Sequence, residues 1–196
     1  MSDTEKRVEA VEKRLETVDQ IVSEVASIKK SMDIFRYELD ERDQLSRMKN
    51  LEIKNVPLTK GENLLCIAQK IGEQIGFALQ PEDIDIVTRV ATKTTQVKPI
   101  IIRFASRRRK EEFLALSKKA RKISSTDLKY SGPETTIYVN NHLTINNKIL
   151  LSKVKTKARE AGFKFVWVKD CKILVRKNEN SPAFLVRRED DLQKIT

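Results

Sequence analysis

Four consecutive cations, Arg107-Arg108-Arg109-Lys110, follow the apolar run Ile100–Phe104. The pattern predicts that they fill the first turn of a helix. Positive charge there opposes the helix dipole, by about 0.3–1 kcal/mol per charge before screening. Local stability would favour Asp or Glu instead. An anion bound at the site would offset the penalty, because exposed N–H groups at a helix start together with guanidinium groups suit a phosphate. Lys118, Lys119, Arg121 and Lys122 fall at the other end of the same segment, where cations complement the dipole, and they read as structural.

Other cations are placed for the same chemistry. Lys148, Lys155 and Arg159 share one face of a predicted helix over 144–161, about 130° from its apolar face at 100° per residue. No acid interrupts that stripe, whereas a solvated helix usually mixes signs to gain i,i+4 pairs. The segment 91–99 carries Lys93 and Lys98 with no acid, between Arg89 and Arg103. Arg47 and Lys49 precede the first apolar run. Lys169 and Arg176, with Lys172 and Lys177, rim the stretch FKFVWVKDCKILVRK at 163–177. In that stretch Phe163, Phe165 and Trp167 are expected on one strand face as core rather than as a base-stacking platform. The stretch itself reads as a hairpin with a cationic margin. Asp170-Cys171 stands where a tight turn would carry Asp-Gly, which predicts strain or a longer loop.

The totals narrow the partners. Of 196 residues, 39 are Lys or Arg and 28 are Asp or Glu, a formal net charge of +11. Such a balance biases the chain toward nucleic acid or acidic surfaces. His142 is the sole histidine, and Cys66 and Cys171 have no companions at ligand spacing, so neither a metal site nor a cofactor is expected. Phosphate-loop, dinucleotide-binding and nucleophile-elbow signatures are absent, and scattered acids such as Asp83, Asp85, Asp190 and Asp191 read as caps and solvated turns. The expectation is a binding protein, not an enzyme. No apolar run approaches membrane-spanning length, so no membrane insertion is expected. Two isolated cysteines fit a reducing compartment, cytoplasmic or nuclear.

The elements that must position these charges fall into three zones. Residues 1–50 hold ten cations and twelve anions, net −2; the basic excess lies beyond them, at +7 for 51–132 and +6 for 133–196. Val18, Ile21, Val25, Ile28, Met32, Phe35 and Leu39 step 3-4-3-4-3-4, the repeat of a coiled-coil seam. Val8, Val11 and Leu15 keep the repeat in another phase, joined at Val18 by a stammer. β-branched residues at both seam positions lean toward a homotrimer over a dimer, although Arg42 at the next seam position would fray it. A single helix packed on the rest of the chain is the alternative.

Beyond this coiled coil (1–46), the pattern predicts a strand at 51–57, a helix at 62–76 ending at Gly76, strands at 83–90 and 100–106, a helix at 107–120 and a short strand near Leu128–Tyr130. The order β-α-β-β-α-β is the split βαβ unit of RRM-like domains, here assigned to 47–131. Ser131-Gly132-Pro133 punctuates the boundary. A small α+β domain over 132–196 then comprises a strand at 136–140, the helix capped by Thr144, the hairpin, a strand near Ala183–Val186 and a helical turn around Asp190–Ile195. The predicted class is α+β.

Four stretches, RMKNLEIKNVP, KPIIIRF, IYVNNHLT and FVWVKDCKILVRK, set behind a coiled coil, resemble the first-open-reading-frame protein of LINE-type retrotransposons. The chain is also similar to the related C-terminal domain of the baculovirus few-polyhedra (FP) protein, and the block from Ile137 to Lys177 carries the likeness most specifically. The resemblance implies a homotrimer that binds single-stranded RNA or DNA between the RRM-like and C-terminal domains, with chaperone-like strand rearrangement. It implicates Arg47, Lys49, Lys93, Lys98 and the stripe of the 144–161 helix. The FP branch implies a structural or trafficking role in assembly instead. Three departures stand out: Glu52 occupies a position where relatives can carry a cation, the RRM stacking aromatics are missing, and there is no cysteine-rich zinc knuckle. These gaps point to backbone-dominated, sequence-tolerant binding.

Overall fold

The computed structural model describes residues 3–91, 97–120 and 122–196. The chain is α+β, with a long N-terminal helix, an antiparallel sheet flanked by helices, and a small C-terminal α+β region. It divides into two units, Met1–Asp43 and Gln44–Thr196.

Helix α1 (Asp3–Ser46) contains no Gly or Pro and runs unbroken for 44 residues, roughly 66 Å at 1.5 Å per residue. Its seven seam side chains, from Val18 to Leu39, are 49–60% exposed. An apolar stripe of that length left open is what a coiled coil exists to cover.

The second unit carries both sheets. Strands β1 (Asn50–Lys54), β2 (Ile84–Arg89), β3 (Ile100–Phe104) and β4 (Tyr138–Asn141) form an antiparallel sheet in the order β2-β3-β1-β4. Helices α2 (Leu64–Gln74) and α3 (Arg107–Lys119) are the crossovers of the split βαβ unit. Leu51 and Ile53 of β1 pair with Ile102 and Ile100 of β3 and bury one sheet face against Ala68, Ile71, Phe113 and Leu114. Phe113 packs edge-on to Phe77 and tilted against Phe104.

The fourth strand is not where the pattern placed it. Residues 125–129 form a turn, and the slot beside β1 is taken by Tyr138–Asn141. Asp127 accepts from the Ser124 N–H and hydroxyl at 2.7 and 2.9 Å, and Lys129 takes a positive φ of 63°. This side-chain-closed turn competes with extended structure. Leu128 is buried because the turn tucks it into the core.

Helix α4 (Ile145–Glu160) starts where the Thr144 hydroxyl accepts from the Asn147 N–H, as its sequence position predicts. The ends of α2 and α4 are built alike. In Ile75-Gly76-Phe77 and Ala161-Gly162-Phe163 the glycine turns left-handed, and the phenylalanine N–H reaches back to the carbonyl of Gly72 or Ala158. Both are Schellman caps, with the phenylalanine as the apolar residue that seals the end. Strands β5 (Phe165–Lys169), β6 (Lys172–Arg176) and β7 (Phe184–Val186) make the second sheet, followed by a 3₁₀ segment at Glu189–Lys194.

The cap at Phe163 overturns the expectation that three aromatics share one core-facing strand side. Phe163 belongs to the helix end, not the strand, and packs on Phe184. The strand begins at Phe165, and its core side is Val166 and Val168, set against Leu150, Val154, Ile173 and Val175. Alternation then places Phe165 and Trp167 on the opposite face. The hairpin needs no longer loop: Asp170 and Cys171 both adopt positive φ, 51° and 58°, and close it in two residues. That is the twist a two-residue hairpin prefers, achieved without glycine.

Candidate nucleic-acid interface

The cations singled out by sequence divide into those bound into the fold and those left open. At the first turn of α3, Arg109 donates to both oxygens of Asp83 at 2.8 Å each and to the Ala78 carbonyl at 2.8 Å, and its guanidinium lies 4.0 Å from the Phe77 ring centre. This contact holds the Asp83 carboxyl below its ordinary range and raises the affinity of Arg109 for its proton. Arg107 donates to Asp170 at 2.6 Å, likewise lowering that carboxyl. Lys110 is fully buried, bonded to Asn141 and to Glu111. Only Arg108 of the four is exposed without a carboxylate partner among the described residues. At this turn internal carboxylates offset the opposing dipole for three of the four cations.

Arg89 is 7% exposed, paired with Glu62, and donates to the carbonyls of Val56, Pro57 and Lys98. It locks the end of β2 to the segment after β1. Arg47 is half-buried, donating to the Leu143 carbonyl and to Nε2 of His142, both at 3.2 Å. A guanidinium can only donate, so Nε2 is the acceptor of this contact. Beside it, Gln44 accepts from the Thr144 N–H and the Asn147 amide and donates to the His142 carbonyl. These bonds anchor the start of α4. Lys49 donates to the Ala105 carbonyl at 2.8 Å, and Arg103 pairs with Asp85 at 3.1 Å on the surface. Lys98, Arg159 and Lys169 are exposed, and Lys93 lies outside the described residues.

The open cations meet elsewhere. β4 and β5, each an edge strand of its sheet, line a cleft of about 360 Å³. Lys54, Lys118, Lys148 and Lys155 stand around it, with Trp167, Asn140 and Asn141 in its walls and Glu52 as its one carboxylate. Glu52 is nearly buried and accepts from Lys148 at 2.7 Å, with Lys54 at 3.6 Å. Four ammonium groups against one carboxylate leave a local charge of +3. Two ion pairs fix the walls: Lys148 ties α4 to β1, and Arg107 ties α3 to the β5–β6 turn. At that turn Cys171 is buried, which pushes its thiol pKa up. Lys54 and Lys118 were not picked out by sequence. Lys118 reads there as a dipole partner, and only the pairing of β4 with β1 brings it to the cleft.

Such a site suits a chain of phosphates. The walls offer ammonium groups as point charges and polar amides, and edge strands carry unpaired backbone groups. Among the described residues no group of three or more His, Cys, Asp or Glu could hold a metal ion. Among them, too, no helix is long and apolar enough to cross a membrane.

Residues 144–196 match the family model described as Baculovirus FP protein domain 2. The matched segment starts at the cap of α4 and includes the whole second sheet. The comparison with curated proteins returns no match.

Proposed function

We propose that the chain is a non-enzymatic single-strand nucleic-acid-binding protein that self-associates through α1 and holds RNA or DNA by its phosphates in the lysine cleft. The observation that carries this reading is the cluster of four lysines around one glutamate between two edge strands. The resemblance to LINE-type first-open-reading-frame proteins supports it and adds chaperone-like strand rearrangement. Self-association, as a trimer, follows from the open β-branched seam of α1. Joining several clefts would raise avidity without new contacts. Such a protein would act in the cytoplasm or nucleus.

A salt titration of the full chain on a labelled single-stranded oligonucleotide tests the reading. Each neutralised phosphate contributes about −0.7 to the slope of log affinity against log salt. Three to four lysines therefore give a slope of roughly −2 to −3 per cleft. A flat plot would remove the proposal.

The match to the FP model favours one second reading, a structural or assembly protein that works by protein contacts. In that case Lys118→Glu with Lys155→Glu leaves self-association and assembly intact, and wild-type protein binds no strand in the titration.

A further inference from the structure

The second sheet has a face that α4 does not cover. α4 and the C-terminal 3₁₀ segment pack on the side of Val166, Val168, Ile173, Val175 and Val186. The opposite side carries Phe165 and Trp167 on β5, Leu174 and Arg176 on β6, and Leu185 on β7. The register sets Trp167 beside Leu174 and Leu185, and Phe165 beside Arg176. An open depression of about 640 Å³ lies here, with Lys164 and Arg176 at its margin and no carboxylate in its lining. The Arg176 guanidinium lies 4.6 Å from the Phe165 ring centre, and its Nε–H has no acceptor among the described residues. No ion pair with a carboxylate involves this guanidinium among the described residues, and the Phe165 ring is its neighbour in the fold. Trp167 lines both this depression and the lysine cleft, so the two sites are continuous along β5.

We propose that this face is a base-stacking platform, on which unpaired nucleobases of the strand held in the lysine cleft stack against Trp167 and Phe165, with Arg176 and Lys164 meeting the adjoining phosphates. The inference rests on the strand-binding reading and says where the bases go. Aromatic rings beside a cationic, carboxylate-free margin are what a sequence-tolerant single-strand site needs, because every base has a π face. In the first sheet β1 has no aromatic, and Phe104 of β3 is fully buried in the core, so neither central strand offers a ring for stacking. An apolar protein surface would not call for the uncompensated cations.

Trp167 is the only tryptophan in the chain, so its emission reports the wall shared by platform and cleft, and an abasic strand separates a stacked base from a phosphate in the cleft. The experiment titrates the full chain at low salt with oligothymidylate and with an abasic deoxyribose-phosphate strand of equal length. Thymidylate is expected to quench Trp167 and to bind roughly fivefold to a hundredfold tighter than the abasic strand. Phe165→Ala, which keeps the fluorophore, is expected to remove most of that difference, and Trp167→Phe to preserve it. If both strands bind equally and neither quenches, the platform is overturned while the cleft stands. If neither strand binds, the cleft reading falls and the platform with it. Because the wild-type comparison decides the matter, a variant that fails to fold does not weaken the test.

Discussion

The first turn of α3 and the cleft beside β5 hold the same kind of charge and use it in opposite ways. Arg107, Arg109 and Lys110 face Asp170, Asp83 and Glu111, and their charge is consumed in joining elements. Lys54, Lys118, Lys148 and Lys155 come from β1, α3 and α4, scattered over a hundred positions of sequence, and share one carboxylate. Density of cations along the chain is thus a poor guide to free charge in space. What distinguishes the two regions is the supply of acids. The arginine turn is approached by the β5–β6 hairpin tip, which brings Asp170, and by a 3₁₀ turn at Pro81–Asp83, which brings Asp83. The cleft is lined by two edge strands whose facing residues are amides and apolar groups.

The contrast can be broken most severely at the committed cations. Arg89→Met would leave Glu62 charged and nearly buried; the loss of a buried pair's partner costs about 3–5 kcal/mol and should appear as a lowered urea midpoint. Next in size is Lys118→Glu with Lys155→Glu, which leaves the Lys148–Glu52 pair in place. This change should weaken strand binding on the order of a hundredfold at low salt, read by fluorescence anisotropy, with the urea midpoint shifted far less than by Arg89→Met. A smaller effect is expected in acid. The carboxyls of Asp83 and Asp170 are lowered by their arginines, and that of Asp191 to about 2 by Lys194 and backbone N–H groups. A depressed folded-state pKa gives stability that is present above the unfolded value near 3.8 and is lost as pH falls through the folded one. Thermal unfolding should therefore show little pH dependence from these groups near neutrality and a progressive loss from pH ~4 toward 2. Smallest of all, Arg103→Ala removes a surface pair with Asp85, both half-exposed, worth about 0–1 kcal/mol. It should change neither the midpoint nor the strand affinity measurably.

Sequence disclosed the fold better than the site, and the reason lies in the range of the interactions. The long N-terminal helix, the Thr144 cap, the Gly76 and Gly162 stops and the β-α-β-β-α order are local patterns, and each reappears in the structure. The fourth strand was misplaced because Asp127 and Lys129 close a turn whose energy comes from one side-chain carboxylate, while Tyr138–Asn141 gains a full edge beside β1. Phe163 was read one element too late, because a Schellman cap and a strand start look alike in a string of alternating apolar residues. The stripe of α4 was legible, and Lys148 and Lys155 do reach the cleft. The α3 cluster misled because its acid partners, Asp83 and Asp170, lie 26 and 63 positions away, beyond any local pattern.

The central claim is that free charge concentrates in the cleft, while Arg107, Arg109 and Lys110 at the arginine turn are spent on carboxylates of the fold. The direct measurement compares the salt dependence of single-strand binding for wild-type protein, for Lys118→Ala with Lys155→Ala, and for Arg103→Ala with Arg107→Ala. The lysine pair should flatten the log–log slope by about 1.4, while the arginine pair leaves it at the wild-type value. A slope that flattens with the arginines and is untouched by the lysines would contradict the account.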